Sequence, residues 1–362
     1  MKMIPVSLYF CPEWWDAHYH GSRPRPDEGS RQALESIYLG RQRFLFERLG
    51  RHGVGGERPD LGPGQIATVI RYGYGLVPAL LGTEFGLRNA WGFFGRHRTL
   101  DEVARLAPVD IAEHPEGEWL RRQRDQMRTR YGEASHCIDI GSVTNNTFEI
   151  LGADFYVALL AATDPCARLF EVVLETEFHL YRFLRELFPP MDPVPISNCN
   201  AHLMGPATYE RMVLPFDARQ NRFAHDVAAV APRAAVHHCD VRADDFLAAY
   251  ARLPGVSVLQ ASFQSDIAAA KKAIPGSDFS ALIHPLAMLR PTEELREEIR
   301  RTLRDGAADL ALWNIDPSLD PKRLGDLLDV IESCCREIGC KSEASAMPLC
   351  WEEIEWAHVA YR

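Results

Sequence analysis

From about residue 135 onward, the chain alternates short apolar, β-branched runs with longer segments whose apolar residues recur three and four positions apart. The short runs predict buried strands, and the longer spacing predicts amphipathic helices. The predicted strands are 137–143, 194–199, 234–239, 257–262, 280–284 and 308–315. The predicted helices between and after them are 166–187, 207–230, 243–253, 267–273, 292–305 and 321–338. Such alternation predicts parallel strands joined by right-handed crossovers, and therefore an α/β fold.

Six strand–helix units, with one or two further strands expected in the first 130 residues, predict a (β/α)8 TIM-type barrel. A doubly wound open sheet is the alternative. The first part of the chain is aromatic and Arg-rich, with helical patterns at 32–49 and 66–81. Because no low-complexity linker follows it, we expect residues 1–130 to form a helical or irregular N-terminal cap and arm that contributes to the barrel. Residues 131–362 then form the main part of a single structural domain.

Composition narrows the classes of function. The chain has 362 residues, of which 46% are hydrophobic and 25% charged, as in ordinary soluble enzymes. A net charge of -10 disfavours nucleic-acid binding, and no apolar run is long enough to span a membrane. The N-terminus has no signal-peptide pattern, and the nine Cys are scattered, so we expect reduced thiols in the cytoplasm. We expect a small-molecule substrate; the sequence leaves monomer and homodimer open.

The candidate chemistry lies where predicted strands end. His237 and Cys239 are two residues apart, so on a strand they share a face while His238 points to the other. An imidazole and a thiolate on one face are typical of the first two ligands of a zinc site. In a barrel, catalytic groups gather at the carboxyl ends of the strands. Other polar residues at or near these ends are Asp139, Asn198, Cys199, His202, Asp240, Gln260, His284, Asn314 and Asp316.

Apart from the candidate metal ligands, these polar residues are candidates either for catalysis or for substrate binding. The candidate catalytic residues are Asp139, Asp240 and His284. His284 titrates in the range useful for a general acid or base, but it could equally bond the backbone of its loop. Asp139 either positions a substrate or caps the following helix. The candidate substrate contacts on the rim are Asn198, His202, Gln260 and Asn314.

An aromatic cluster near the N-terminus is a further candidate for substrate binding. Trp14, Trp15 and Tyr19 lie close together with His18 and His20. Folded over the rim, they would form a lid that excludes water from the site. The alternative is that the two Trp residues anchor the cap on the barrel.

Several motifs, in order and spacing, resemble the uroporphyrinogen decarboxylase superfamily over about residues 141–337. They are Gly152-Ala153-Asp154-Phe155 with Asp164-Pro165, Pro206-Ala207-Thr208-Tyr209-Glu210 leading to Leu214-Pro215, His237-His238-Cys239, Gly255-Val256 and the helix at 292–303. This superfamily also contains cobalamin-linked and other zinc-dependent methyltransferases. The resemblance implies a (β/α)8 barrel.

The resemblance favours the methyltransferase-type branch over true uroporphyrinogen decarboxylases. The N-terminal Arg-Gln-Ala-Gly-Arg signature of the decarboxylases is absent. The methyltransferase branch has His-x-Cys at the end of one strand, matched by His237 and Cys239, and a further Cys in the loop after the last strand. That loop, 313–318, has no Cys here, so the third ligand is left open among Cys199, Asp316 and Cys350. The resemblance implies zinc, a corrinoid as methyl donor and a corrinoid protein as partner.

Three functions follow as hypotheses. The first is a zinc-dependent methyltransferase that activates a thiol or similar acceptor for methyl transfer from a corrinoid or other methylated donor. The second is a metal-free decarboxylase or related lyase acting on a small carboxylate, with rim residues stabilising the developing charge. The third is a non-catalytic barrel that binds a metal or another ligand.

Overall fold

The computed structural model describes residues 1–19, 31–59, 68–69, 75–86, 93–136, 138, 140–161, 163–188, 196–227, 234–239 and 241–346. The strands are β1 Met3–Phe10, β2 Thr68–Val69, β3 Glu84–Gly86, β4 Phe93–Arg96, β5 Ser135–His136, β6 Ile196–Ser197, β7 Ala234–His237, β8 Val256–Ser262, β9 Asp278–Ile283, β10 Asp309–Ile315 and β11 Lys341–Ala346. The helices are α1 Pro12–His18, α2 Arg31–Leu49, α3 Leu76–Leu80, α4 Leu100–Val103, α5 Pro115–Tyr131, α6 Val143–Leu151, α7 Asp154–Ala161, α8 Thr163–Leu187, α9 Ala201–Met204, α10 Pro206–Met212, α11 Leu214–Val227, α12 Leu247–Tyr250, α13 Ile267–Ala273, α14 Pro285–Met288, α15 Thr292–Arg304 and α16 Pro321–Glu337.

A seven-stranded parallel sheet organises the fold, with the strand order β11-β1-β10-β9-β8-β7-β6. Two short pairs stand apart from it: β2 with β5 in parallel and β3 with β4 antiparallel. The prediction of a mixed α/β fold built on parallel strands and helical crossovers is therefore confirmed.

The N-terminal segment supplies a strand that the sequence pattern did not locate. β1 lies between β10 and β11, and its residues from Met3 to Leu8 have parallel partners in β11. It is one of the strands expected within the first 130 residues. A second difference concerns residues 66–81, which are predicted as one helix. The described part of this segment contains only the strand β2 and the short helix α3.

The predicted strand 137–143 also ends earlier than expected. Of the residues described in this segment, 138 and 140–142 are not in a strand, and α6 begins at Val143. The helix begins there because the Ser142 side chain accepts a hydrogen bond from the Asn145 backbone N–H, which caps the first turn. Ser142 therefore acts as a helix cap rather than as a strand residue.

One of two compact units comprises Met1–Ile66, Cys239–Asp244 and Leu259–Arg362. Its core contains one face of β1, where Val6 and Leu8 are fully buried. The last helix, α16, has Asp320 as its N-cap, which accepts a hydrogen bond from Arg323 N at 2.7 Å. Its apolar positions, spaced three and four apart, form a buried stripe.

The second unit comprises Ala67–His238 and Asp245–Val258. Its longest helix, α8, buries an apolar face together with one carboxylate, Glu177, which accepts a hydrogen bond from Asn146 Nδ2 at 2.7 Å. Across the described parts of the chain, no helix combines the length and apolar character needed to cross a bilayer.

Candidate metal centre

Three side chains at the ends of β6 and β7 form a compact group of metal-ligand type. One ligand atom each from Cys199, His237 and Cys239 lies within 4.8 Å of the other two. The pairing of β6 with β7 explains this proximity, since Ile196 pairs with Val236 and Ser197 with His237. Cys199 and Cys239 each follow the last paired residue of their strand by two positions, so both lie in the turns at this end of the β6–β7 pair. Of the two candidates that the structure describes, Cys199 and Asp316, only Cys199 belongs to the group with the His-x-Cys pair.

The group has the composition expected of a zinc centre. His237 is 7% exposed, and both thiols are half-buried, so the ligands are shielded yet reachable. Zinc bonds of 2.0–2.3 Å in a tetrahedron place ligand atoms about 3.5–4 Å apart. The group is thus within about 1 Å of that spacing. Among the described residues, the group supplies two thiols and one imidazole, and three protein ligands is the number found in catalytic zinc sites.

Cys239 reaches the group through an unusual backbone conformation. Its φ is 50°, in the left-handed region that non-glycine residues rarely adopt. β7 ends at His237, so the same-face argument for an extended strand does not describe how Cys239 is oriented. The tight turn after the strand, rather than strand alternation, brings the Cys239 thiol to His237. Backbone strain of this kind is concentrated at functional sites.

Asn198, expected to contact substrate, lies instead in a fully buried hydrogen-bond cluster directly before Cys199. Its Nδ2 donates to Asp217 Oδ2 at 2.9 Å and to the Tyr209 hydroxyl at 3.2 Å. The Tyr209 hydroxyl in turn donates to Asp217 Oδ2 at 2.6 Å. Burial raises the pKa of Asp217 to about 6, although both hydrogen bonds oppose the rise. We call Asn198, Tyr209 and Asp217 the buried triad.

Two members of the buried triad were not among the site residues predicted from the sequence. Tyr209 and Asp217 lie in α10 and α11, inside a segment predicted as one amphipathic helix. The signal was an Asp on the apolar stripe of that helix, since a buried carboxylate needs hydrogen-bond donors.

His238 lies in a setting different from that of its neighbours. It is fully buried, its Nδ1 lies 2.5 Å from the Tyr250 hydroxyl, and its ring packs on Phe246 with ring centroids 4.9 Å apart. It is not part of the group formed by Cys199, His237 and Cys239.

Asp316 is bound within its own loop. Its Oδ1 accepts a hydrogen bond from Ser318 N at 2.8 Å, forming a local turn. Helix α1 holds the rest of the loop, because Trp14 Nε1 donates to the Leu319 carbonyl at 2.6 Å and His18 Nε2 lies 3.0 Å from the Pro317 carbonyl. Asp316 is thus not in the metal-type group. Asn314, just before it, has a φ of 53°, the second left-handed non-glycine residue in the described chain.

The aromatic cluster packs as an anchor for α1. Trp14 is fully buried, and its ring centroid lies 4.3 Å from that of Phe10 and 5.0 Å from that of Trp15. The Arg41 guanidinium lies 4.5 Å from the centre of the Trp15 ring. Tyr19 packs edge-on against Trp15, with 6.2 Å between the centroids. The burial of both Trp rings favours the anchor over the lid.

The remaining rim candidates have separate positions. His284 Nδ1 accepts a hydrogen bond from Ala287 N at 3.3 Å and caps α14, so the loop-bonded alternative describes its geometry. Gln260 donates to the Ser280 hydroxyl at 3.2 Å, and Ser280 donates to Asp309 at 2.6 Å, at the beginning of β10. His202 is exposed on α9. The positions Asp139, Asp240 and Cys350 lie outside the described residues.

A second group with metal-ligand atoms, His52, Asp329 and Glu332, is an ion-pair network. Arg51 donates to Asp329 Oδ2 at 2.5 Å and to His52 Nε2 at 3.0 Å. A guanidinium already neutralises the carboxylate that a cation would use, so this group has the weaker claim to a metal.

Comparison with known proteins gives a likeness at the level of the fold. No family model matches the chain, and no curated protein matches it. Among solved structures, a methyltransferase from Methanosarcina mazei is similar, with a TM-score of 0.61 and 14% sequence identity over 91% of this chain and 94% of the other. At this identity the likeness shows a shared fold, and it extends over nearly the whole of both chains.

Proposed function

We propose that the protein is a zinc-dependent methyltransferase whose metal is held by Cys199, His237 and Cys239. The observation that carries the proposal is the convergence of these three ligand atoms within 4.8 Å at the ends of two neighbouring strands. The similar fold of a methyltransferase supports methyl transfer as the reaction. The resemblance to the zinc-dependent branch of the uroporphyrinogen decarboxylase superfamily supports it independently of the fold.

The chain's own residues would prepare the site for a thiol acceptor. Zinc, when bound, lowers the pKa of a coordinated substrate thiol so that it is a nucleophile at neutral pH. Two thiolates and a neutral imidazole bring two negative charges, which balance the charge of the ion. The burial of His237 would keep water away from its side of the site.

Further parts of the proposal concern the donor, the partner and the architecture. We propose a corrinoid or another methylated compound as donor, a small-molecule acceptor, a corrinoid protein as partner and a cytoplasmic location. We also propose that the parallel strands belong to a (β/α)8 barrel, supported by the seven-stranded sheet and the separate parallel pair of β2 and β5. The catalytic roles of Asp139, Asp240 and His284 stay predictions.

Metal analysis of the purified protein and three matched variants tests the proposal. We expect about one zinc per chain in the wild type, and a large loss in both Cys199→Ser and Cys239→Ser. Cys340→Ser serves as the control, because Cys340 is also a half-buried cysteine but lies outside the group. A protein that binds no zinc when zinc is supplied would overturn the proposal and favour the metal-free lyase. Zinc retained in Cys199→Ser would exclude Cys199 as a ligand.

A further inference from the structure

Asn198 directly precedes the proposed ligand Cys199, and each of its polar atoms has a hydrogen bond. Asn198 N donates to the His237 carbonyl at 2.7 Å, and the Asn198 carbonyl accepts from Ala201 N at 3.2 Å. Its side-chain Oδ1 accepts from Thr144 Oγ1 at 3.3 Å, and Nδ2 donates to Asp217 and Tyr209. A residue held at both backbone groups and both ends of its side chain has little freedom. The backbone that leads into Cys199 is therefore immobilised.

The strand before Asn198 is also tied to its neighbourhood. The Ser197 carbonyl accepts a hydrogen bond from Ser142 Oγ at 2.7 Å, and Ser142 Oγ lies 3.0 Å from Thr144 Oγ1. In its described part, β6 pairs with β7 at Ile196 and Ser197. The bond from Ser142 adds a side-chain contact at the carboxyl end of this pairing, directly before Asn198.

Burying these groups is costly, and nothing in the packing of an apolar core requires it. Asn198, Tyr209 and Asp217 are all 0% exposed. Among the described residues, Asp217 Oδ1 has no hydrogen-bond partner. A buried polar cluster of this kind is less favourable than well-packed apolar side chains of similar volume. The buried triad lies directly before Cys199, so a role in orienting this candidate ligand would account for its cost.

We propose that the buried triad is a positioning device for Cys199. It holds the end of β6 in register with β7, so that the Cys199 thiol lies beside Cys239 before any metal binds. This inference rests on the proposed zinc function for its purpose, but the thiol arrangement that it explains exists without the metal. Groups that orient metal ligands in this way change metal affinity by 10–100-fold when they are removed.

The test uses two variants and a matched control. Asn198→Ala removes the central group of the buried triad, and Tyr209→Phe removes one donor to Asp217 while the bond between Asn198 and Asp217 stays. Glu177→Gln is the control, because Glu177 is also a buried carboxylate that accepts from an Asn side chain in the same unit. Each protein is titrated with zinc against a chelator and with Co²⁺, whose thiolate charge-transfer band reports the number of bound thiolates.

We expect Asn198→Ala to weaken zinc binding by about 10–100-fold and to shift the Co²⁺ spectrum towards that of Cys199→Ser. Tyr209→Phe should show a smaller effect of the same sign, and Glu177→Gln should bind both metals like the wild type. A merely structural role would lower the melting temperature of all three variants without changing the zinc affinity or the Co²⁺ band. That result would overturn the proposal.

A metal-free measurement separates this inference from the zinc function. Phenylarsine oxide condenses with two neighbouring thiols to form two As–S bonds and release one water. We expect the wild type to bind it in a Cys199-dependent manner, and Asn198→Ala to lose that binding. If the wild type binds the arsenical but no zinc, the zinc function fails and the positioning role holds. Equal Cys199-dependent binding in wild type and Asn198→Ala would overturn the positioning role.

Discussion

The buried Asp217 carboxyl should give the protein a specific dependence of stability on pH. Burial raises its pKa in the folded protein from 3.8 to about 6. Between these two values the folded state binds more protons than the unfolded state, so the free energy of unfolding falls as pH rises. Above the folded pKa, the contribution is constant. The group thus stabilises the protein at low pH and loses that contribution as the pH rises towards about 6.

The size of the effect follows from the same values. Between about pH 5 and about pH 8, the wild type loses the stabilisation that lies between pH 5 and the folded pKa of about 6. This interval is about one pH unit, which corresponds to about 1.4 kcal/mol. Asp217→Asn removes the titrating group while keeping its shape. The variant should therefore gain about 1.4 kcal/mol relative to the wild type between about pH 5 and about pH 8. Other groups titrate alike in both proteins, so their contributions cancel in this comparison.

Urea denaturation of the wild type and Asp217→Asn at both pH values, in the same metal state, measures the difference. Tyr209→Phe extends the test, because the Tyr209 hydroxyl is a donor that lowers the pKa of Asp217. Its loss should move the fall in stability to higher pH. A stability gap between wild type and Asp217→Asn that is the same at both pH values would refute the argument. A gap that moves in the opposite direction would show that Asp217 is stabilised as the carboxylate.

Two further substitutions test the anchoring role of Trp14 and the backbone strain at Cys239. Trp14→Phe should lower the free energy of unfolding by about 2–4 kcal/mol, because it leaves the Leu319 carbonyl without its donor and removes buried ring atoms. Chemical denaturation measures this, and weakened ligand binding with unchanged stability would favour the lid instead. Cys239→Gly should be more stable than Cys239→Ser by about 1 kcal/mol, because glycine adopts a positive φ without penalty. Equal melting temperatures of these two variants would argue against strain at this position.

Much of the fold follows from the sequence pattern because three strands of the sheet, β8, β9 and β10, have buried residues on both faces. Their predicted bounds differ from the observed ones by a residue or two. β1 was not located because its alternate residues stay partly exposed and it contains Pro5, which weakens a strand pattern. The helix predicted at 66–81 failed for a related reason, since apolar spacing alone does not separate a helix from short strands.

Only those residues of the candidate site that are close together in the sequence could be predicted as neighbours. His237 and Cys239 are two residues apart, so their proximity can be read from the chain. Cys199 is 38 residues before His237, and its place depends on the register of β6 against β7, which the sequence does not state. Asp316 could be set aside only once its hydrogen bond to Ser318 was known. The buried triad was not predicted because Tyr209 and Asp217 lie in two helices that the pattern joins into one, and Asn198 lies in a separate segment before them.

If Cys199 is the third ligand of the proposed zinc, the metal centre depends on the pairing of β6 with β7. In a parallel sheet, neighbouring strands lie about 4.8 Å apart, so residues in register at adjacent strand ends are already close to ligand spacing. A ligand from Cys199 therefore requires correct pairing of β6 with β7, whereas a ligand from a distant loop would require that loop to be ordered. Asn198 directly precedes Cys199, and its side chain bonds to Thr144, Tyr209 and Asp217. Under the proposed positioning role, these bonds hold the end of β6 in place, and this gives a reason for the costly burial of the Asp217 carboxyl.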